Sequence, residues 1–175
     1  MDYILLIVGL VLLTVGADLL TKGCVGMAAR SSGLKRDIRA THPWGFYTDL
    51  KHEPVVMQDG DVMSRLMTRM DEVLQSADYV EQLLENYTPT GKIAAPDYNA
   101  KLQGEALSFA VVEGWRGEIC HAALTDKEGN IVKYKIKDPS LHNWLGLAIA
   151  VRSEGISDFP INNKSFNLSY CGHDL

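Results

Sequence analysis

Asp61–Tyr87, DVMSRLMTRMDEVLQSADYVEQLLENY, is the stretch whose periodicity decides the fold. Val62, Leu66, Met70, Val73, Ala77, Val80, Leu84 and Tyr87 recur every three or four residues, while Arg65, Arg69, Glu72 and Glu81 occupy other faces. A helical repeat returns such positions to one side, so the spacing predicts an amphipathic helix over residues 61–87. Asp59 or Asp61 can cap its start, because an aspartate oxygen accepts from the free amides of the first turn. Thr88, Pro89 and Gly91 end it. The methionine-rich stripe is expected to pack as core, since thioethers fill irregular gaps, and not to line a cofactor.

Downstream, a polar stretch from Pro96 to Glu105 leads into LSFAVVE (107–113), a short apolar run of strand type. Glu118–Thr125 and Ile131–Lys137 are also strand-like; Val132, Tyr134 and Ile136 alternate with lysines, which predicts one buried and one wet face. The loop DKEGN between them supplies Gly129 and Asn130 for positive-φ positions. After Pro139, SLHNWLGLAIAVRSEG reads as a helix capped by Asp138 or Ser140 and ended at Gly155. Upstream, RDIRATHPWGFYTDLKHEP (36–54) mixes charges, aromatics and prolines without a period, as an ordered irregular connector does.

At the N-terminus, Tyr3–Ala17, YILLIVGLVLLTVGA, carries no charge; Asp18 interrupts and Lys22 closes the run. A bilayer core requires roughly 20 helical residues, so residues 1–23 are expected to form a transmembrane leader with Asp18 near an interface or a protein partner. No Lys or Arg precedes the run and no small-x-small cleavage site follows, which argues against a removed signal peptide. Lys22, Arg30, Lys35, Arg36 and Arg39 follow it, and positive residues are retained on the cytoplasmic side. The expected protein is therefore α+β: long amphipathic helices packed with a small antiparallel hairpin or sheet, preceded by one membrane span, with a cytoplasmic domain over residues 24–175.

The 175 residues suit one medium domain plus an anchor. A net charge of -5 without a basic stripe argues against nucleic acid as a partner. Cys24, Cys120 and Cys171 are odd in number and far apart, so no disulfide framework is implied.

Glu113-Gly-Trp-Arg116-Gly-Glu118 sets two carboxylates and a guanidinium around two glycines, where a tight turn can bring charge near a cofactor or hold an Arg116 ion pair. Cys171-Gly-His173 offers a thiolate and an imidazole, an incomplete metal site. Cys120 and His121 would point to opposite faces of a strand, and His42, His52 and His142 are read as structural. No dinucleotide fingerprint, phosphate loop or nucleophile elbow is present.

Several blocks, in order, resemble the C-terminal half of one family: the large catalytic subunit of energy-converting nickel-iron hydrogenases and its descendant, the quinone-site subunit of respiratory complex I, the NADH-quinone oxidoreductase. ARSSGLKRDIRATHPWGFY is similar to its small-residue loop, Asp-x-Arg and Pro-aromatic turn, and supplies Asp37, Arg39, His42, Pro43 and Tyr47. GDVMSRLMTRMDEVLQS is similar to its long helix, VVEGWRGE to its Glu-x-x-Arg-Gly-Glu block, and DPSLHNW to its Pro-Ser block. The resemblance covers roughly residues 24–175. GLVLLTVGADLLTKGCVGMAARSSGL also resembles the first helix and loop of bacterial calcium/sodium antiporters, although transport needs many spanning helices and no second apolar run of that length follows.

The resemblance implies a membrane-associated oxidoreductase complex, with quinone, NAD(P)H or hydrogen chemistry exercised only in the assembly, an iron-sulfur subunit and membrane subunits as partners, and a nickel-iron centre or quinone as cofactor. It makes Glu113 and Arg116 candidates to tune a neighbouring cofactor, Asp37 and Arg39 a structural ion pair, and Cys171 a remnant metal ligand. The family's nickel is held by two Cys-x-x-Cys pairs; here the half carrying the first is absent, and NLSYCGHDL keeps one thiol in place of the second. The chain is therefore expected to be a truncated or split form without a complete nickel site. The alternatives are a non-catalytic docking scaffold and an antiporter fragment.

Overall fold

The computed structural model describes residues 26–86 and 100–171. The expected leader, Cys24, the helix stop at Thr88–Gly91 and His173 lie outside them. Among the described residues no helix is long and apolar enough to cross a membrane.

The elements are α1 (Met27–Ser31), α2 (Ile38–Thr41), α3 (Tyr47–Leu50), α4 (Val62–Glu85), β1 (Leu107–Gly114), β2 (Gly117–Thr125), β3 (Ile131–Lys137), α5 (Ser140–Ala150) and α6 (Phe159–Phe166), the last entered through a 3-10 turn at Ile156–Asp158. The described residues are thus α+β, with one three-stranded sheet in the order β1-β2-β3. Only α4 is long. It starts where expected: Asp61 accepts a hydrogen bond from the Ser64 amide at 2.7 Å, which satisfies one of the first-turn donors.

Both strand pairs are antiparallel. β1 and β2 join through Trp115-Arg116, and Glu113 lies directly opposite Glu118. The second turn closes on Asp126, which accepts from the amides of Glu128 and Asn130 at 3.0 and 2.8 Å. Gly129 takes the positive φ there, at 82°, and Asn130 does not. Contrary to the alternation in β3, Val132 and Tyr134 are exposed, as are Leu107 and Phe109 on β1; the described part of the chain provides no layer to cover them.

The helix after Pro139 is capped by Asp138, which accepts from the Ser140 amide at 2.7 Å, but it ends at Ala150, short of Gly155. α6 was not legible, since ISDFPINNKSF has no apolar period; Pro160 at its start, lacking an amide donor, suits the first turn. The connector holds two single turns, α2 and α3, and α1 forms inside the stretch read as a small-residue loop.

The apolar core is small: Ala28, Ala29, Leu147, Phe166 and Leu168, backed by Trp144, Ala150 and Val151. Around it the interior is polar. Arg30, Ser31, Asp37, His52, Ser64, Arg65, Thr68, Glu72, Ser140 and Asn143 are all buried. The expectation for α4 is therefore inverted: it buries Ser64, Arg65, Thr68 and Glu72 and exposes Leu66, Met70, Val73, Val80 and Leu84. The physical reason is partner choice. α4 packs on α1 and α6, whose facing groups are arginine, serine and asparagine, so its polar stripe makes the contact.

Candidate functional site

The buried polar interior is a cluster of charges gathered from distant parts of the sequence. Its centre is Arg30, on the five-residue helix α1, with a fully buried side chain. Its Nη1 donates to Glu113 Oε1 at 2.8 Å and to the Arg36 carbonyl at 3.0 Å. Nη2 lies 2.6 Å from Glu72 Oε1, a close ion contact without hydrogen-bond alignment, and Asp37 Oδ2 is 3.5 Å from Nη1. Three carboxylates, from α4, β1 and the turn before α2, thus converge on one guanidinium.

Asp37 is also gripped by Arg39, through Nε at 3.0 Å and Nη2 at 2.7 Å, in a fork that matches the carboxylate plane. His52 Nε2 contacts the same Asp37 oxygen at 3.1 Å, and its other nitrogen meets the Tyr79 hydroxyl at 2.9 Å. Glu72 and Tyr79 sit two turns apart on α4, so one helix face carries both ends of the Glu72–Arg30–Asp37–His52–Tyr79 chain. Two arginines face three carboxylates. Burial pushes the Asp37 carboxyl up, but the His52 and Arg39 hydrogen bonds and the Arg39 and Arg30 charges outweigh it and hold the group well below the usual carboxylate range. At Glu113 burial wins: its carboxyl is raised despite the Arg30 hydrogen bond.

Like charges directly opposed across a strand pair repel, and here each has its own cation. Glu113 takes Arg30, while Glu118 takes Arg36 through Nε at 3.0 Å and Nη2 at 3.2 Å. Arg116 therefore forms no pair with the glutamates flanking it. Its Nε donates to the Asn167 carbonyl just past α6, and its own carbonyl accepts from Asn143 Nδ2 at 3.0 Å. The hairpin tip is pressed against the chain entering α1: a Cβ on Gly26 would sit 2.1 Å from Gly117 Cα, so only glycine fits there. Gly26 also has φ 58°.

Glu113 and Arg116 thus hold different partners. Arg69 joins the second group, donating to the Ser165 carbonyl beside Arg65, which bonds Ser165 Oγ and Asn162 Oδ1 at 2.8 Å each and stacks 4.2 Å from the Phe166 ring centroid. Burial and the neighbouring Arg116 charge both depress the Arg69 pKa. Arg69, Met70, Val73, Leu74 and Trp115 line an apolar cavity of about 290 Å³.

Cys171 is exposed beyond α6, and Cys120 lies within β2. Among the described residues no three His, Cys, Asp or Glu side chains converge as a metal would need. A four-thiolate nickel site does not fit a chain with three cysteines. Sequence reading missed Arg30 and Glu72, and took His52 as structural without its partners Asp37 and Tyr79. Arg30 counted only as a charge after the leader, and Glu72 stood on what periodicity marks as a wet face.

Comparison with known proteins places these features in a family. Residues 13–107, more than half of the chain, match the model for the 49 kDa subunit of respiratory-chain NADH dehydrogenase; the match begins inside the stretch read as a leader. The C/D subunit of the NADH-quinone oxidoreductase of Phocaeicola vulgatus is 33% identical over 125 residues, covering 69% of this chain and 22% of that protein. The alpha subunit of the membrane-bound hydrogenase of Pyrococcus furiosus is 32% identical over 153 residues, covering 79% of this chain and 36% of the relative. A chain of the membrane-bound sulfane sulfur reductase, an archaeal respiratory membrane complex, superposes with TM-score 0.75 and 25% identity over 87% of this chain and 43% of its own. The chain spans less than half the length of these relatives, and it belongs to the family of the respiratory-chain NADH dehydrogenase 49 kDa subunit.

Proposed function

We propose that this chain is part of the large subunit of a membrane-bound redox complex of the NADH-quinone oxidoreductase and energy-converting hydrogenase kind, active only with partner subunits and without a nickel site of its own. The observation that carries this reading is that quinone oxidoreductase and membrane hydrogenase relatives match the same chain at about equal identity. An iron-sulfur subunit and membrane subunits are the partners it implies. Arg116 then serves as a positioning residue, tying the hairpin tip to the end of α6, and Glu113 as the buried acid that locks β1 to α1.

The test is purification from solubilised membranes. Co-migration with an iron-sulfur protein and acceptor-linked turnover, lowered by Arg116→Ala, supports the reading. A metal-free, flavin-free, quinone-free monomer overturns it. Turnover unchanged by Arg116→Ala reduces that residue to holding the turn. A docking scaffold without chemistry is the second reading; it is favoured by the engagement of the buried carboxylates by the chain's own arginines, and an assembled complex equally active without this chain would establish it.

The single-pass anchor over residues 1–23, with the domain on the cytoplasmic side, belongs to the same proposal; it is supported by the uncharged run and the cations after it. The family match entering that run at residue 13 competes with it. Resistance to alkaline extraction, with the body of the chain open to protease on the cytoplasmic side, supports the anchor; release into the wash overturns it.

A further inference from the structure

The buried cluster carries more negative than positive charge. Arg30 and Arg39 face Asp37, Glu72 and Glu113, and the side chains of Arg30, Asp37 and His52 are fully buried. With all three acids ionised and His52 neutral, the interior holds one uncompensated negative charge, which surroundings of low dielectric strongly disfavour. One proton removes it. Asp37 has Arg39 at 2.7 Å besides Arg30, and Glu72 has Arg39 at 3.8 Å as well, whereas Glu113 has Arg30 alone and shares it with the other two. Glu113 is therefore the least compensated acid, and burial together with the Asp37 charge favours its neutral form. A neutral Glu113 also suits the strand pair, since Glu118 lies directly opposite with Arg36 as its own cation.

A route to that acid is built beside it. His52 Nε2 stands 3.1 Å from Asp37 Oδ2 and Nδ1 stands 2.9 Å from the Tyr79 hydroxyl, so the imidazole bridges a carboxylate and a phenol. The Glu53 backbone amide hydrogen-bonds the Tyr79 oxygen, which leaves the hydroxyl hydrogen for the imidazole. Tyr79 is half-buried on α4 and meets solvent, whereas the His52 side chain does not. The Tyr47 ring packs edge-on against both, with centroids 6.0 Å from His52 and 6.5 Å from Tyr79. Asp37 in turn lies 3.5 Å from Arg30 Nη1, the same nitrogen that holds Glu113 Oε1 at 2.8 Å. Its ionised state is strongly favoured, so it passes a proton on without keeping it.

We infer that this chain binds one exchangeable proton on Glu113 and takes it up from the surface through Tyr79, His52 and Asp37. Each transfer balances. The Tyr79 hydroxyl gives its proton to His52 Nδ1 while Nε2 releases its own to Asp37, which hands it to Glu113, and solvent reprotonates the Tyr79 oxygen. Release runs the same steps backward and resets the imidazole. Arg30 and Arg39 keep their protons throughout and act as the fixed charges that hold the carboxylates in place. The bound proton belongs to the resting chain. It does not depend on the redox reading, and its failure would leave that reading standing.

The test uses the full chain purified in detergent with whatever subunits it carries, in the absence of electron donor and acceptor. The infrared band of protonated carboxyls is followed as pH is raised. Ordinary carboxyls lose this band by about pH 4–5, and the difference between the parent and Glu113→Gln should show one carboxyl retained above that range. Transfer into D2O then shifts the retained band as O–H becomes O–D. Tyr79→Phe, which keeps the ring and removes only the hydroxyl, should leave the band in place and slow the shift about a hundredfold. His52→Gln, whose amide can still donate to Asp37, should slow it as much. Circular dichroism checks that each variant is folded, and Tyr79→Phe decides alone where His52→Gln is not. No band above the ordinary range, a band that survives Glu113→Gln, or a shift as fast in Tyr79→Phe as in the parent would overturn the inference.

Discussion

Replacing Arg30 by methionine tests the charge cluster at its centre. The side chain is fully buried and stands against Glu113 at 2.8 Å, Glu72 at 2.6 Å and Asp37 at 3.5 Å, so removal leaves Asp37 and Glu72 to Arg39 and Glu113 without an ion-paired cation. Breaking a buried pair costs about 3–5 kcal/mol, because the group left behind stays desolvated and uncompensated. Three carboxylates place this substitution at the upper end, about 5 kcal/mol, which is comparable with the whole stability of a marginal domain. With a urea dependence of roughly 2 kcal/mol per molar, the unfolding midpoint should fall by about 2.5 M or the chain should not fold at pH 7. Acid then provides the discriminating measurement. Without Arg30 the Glu113 carboxyl, already raised by burial, loses the cation that favours its ionisation, so it binds its proton still more tightly folded than unfolded. A group raised on folding stabilises below its unfolded pKa and loses that contribution as pH rises, so the defect should shrink as pH falls toward 5. Urea unfolding of the full chain in detergent, followed by circular dichroism at several pH values, reads both effects. A midpoint within about 0.5 M of the parent at pH 7, or a defect that does not shrink in acid, would refute the cluster as the interior's organising contact.

Glu113→Gln should flatten the wild-type pH profile above the ordinary glutamate value of 4.5, where burial of this raised carboxyl makes the parent lose stability as pH rises. Asp37 contributes oppositely, with stability present above its ordinary 3.8 and lost as pH falls, so the acid limb should survive in that variant; an unchanged upper limb counts against Glu113. Gly26→Ala should lower stability by about 3 kcal/mol or more, combining left-handed strain with overpacking against Gly117, and a thermal midpoint shift under 2 °C would contradict the close approach. Leu147→Ala should cost roughly 2–5 kcal/mol from the small apolar core, read by the same unfolding curves; a loss below about 1 kcal/mol would show that the site collapses to fill the gap.

Local signals were legible where the cause is local. The Asp61 cap, the extent of α4 and the three strands follow from short-range rules, and the structure has them within a residue or two. The charge cluster was not legible, because Arg30, His52, Glu72 and Glu113 come from separate regions and only the fold makes them neighbours. The ion pair offered for Arg116 does not form for the same reason: the glutamates on either side suggest it, yet Arg30 and Arg36 reach those glutamates first and leave Arg116 to the backbone carbonyl after α6.

The sidedness of α4 shows where periodicity stops. An amphipathic pattern states that two faces differ; it does not state which one meets the rest of the same chain. Here the polar face does, because α1 and α6 present Arg30, Asn162 and Ser165 to it, and Ser64 and Thr68 are small enough to let those elements approach. The Met63–Leu84 stripe keeps a strict three-four alternation, a 3.5-residue period that drifts slowly around a straight helix, and the alternation by itself does not say whether that stripe or the polar one meets α1 and α6. The buried arginines and carboxylates then make sense as a consequence. With its apolar stripe exposed, α4 is held to the rest of the described residues by geometry-demanding ion pairs, which fix its angle against α1.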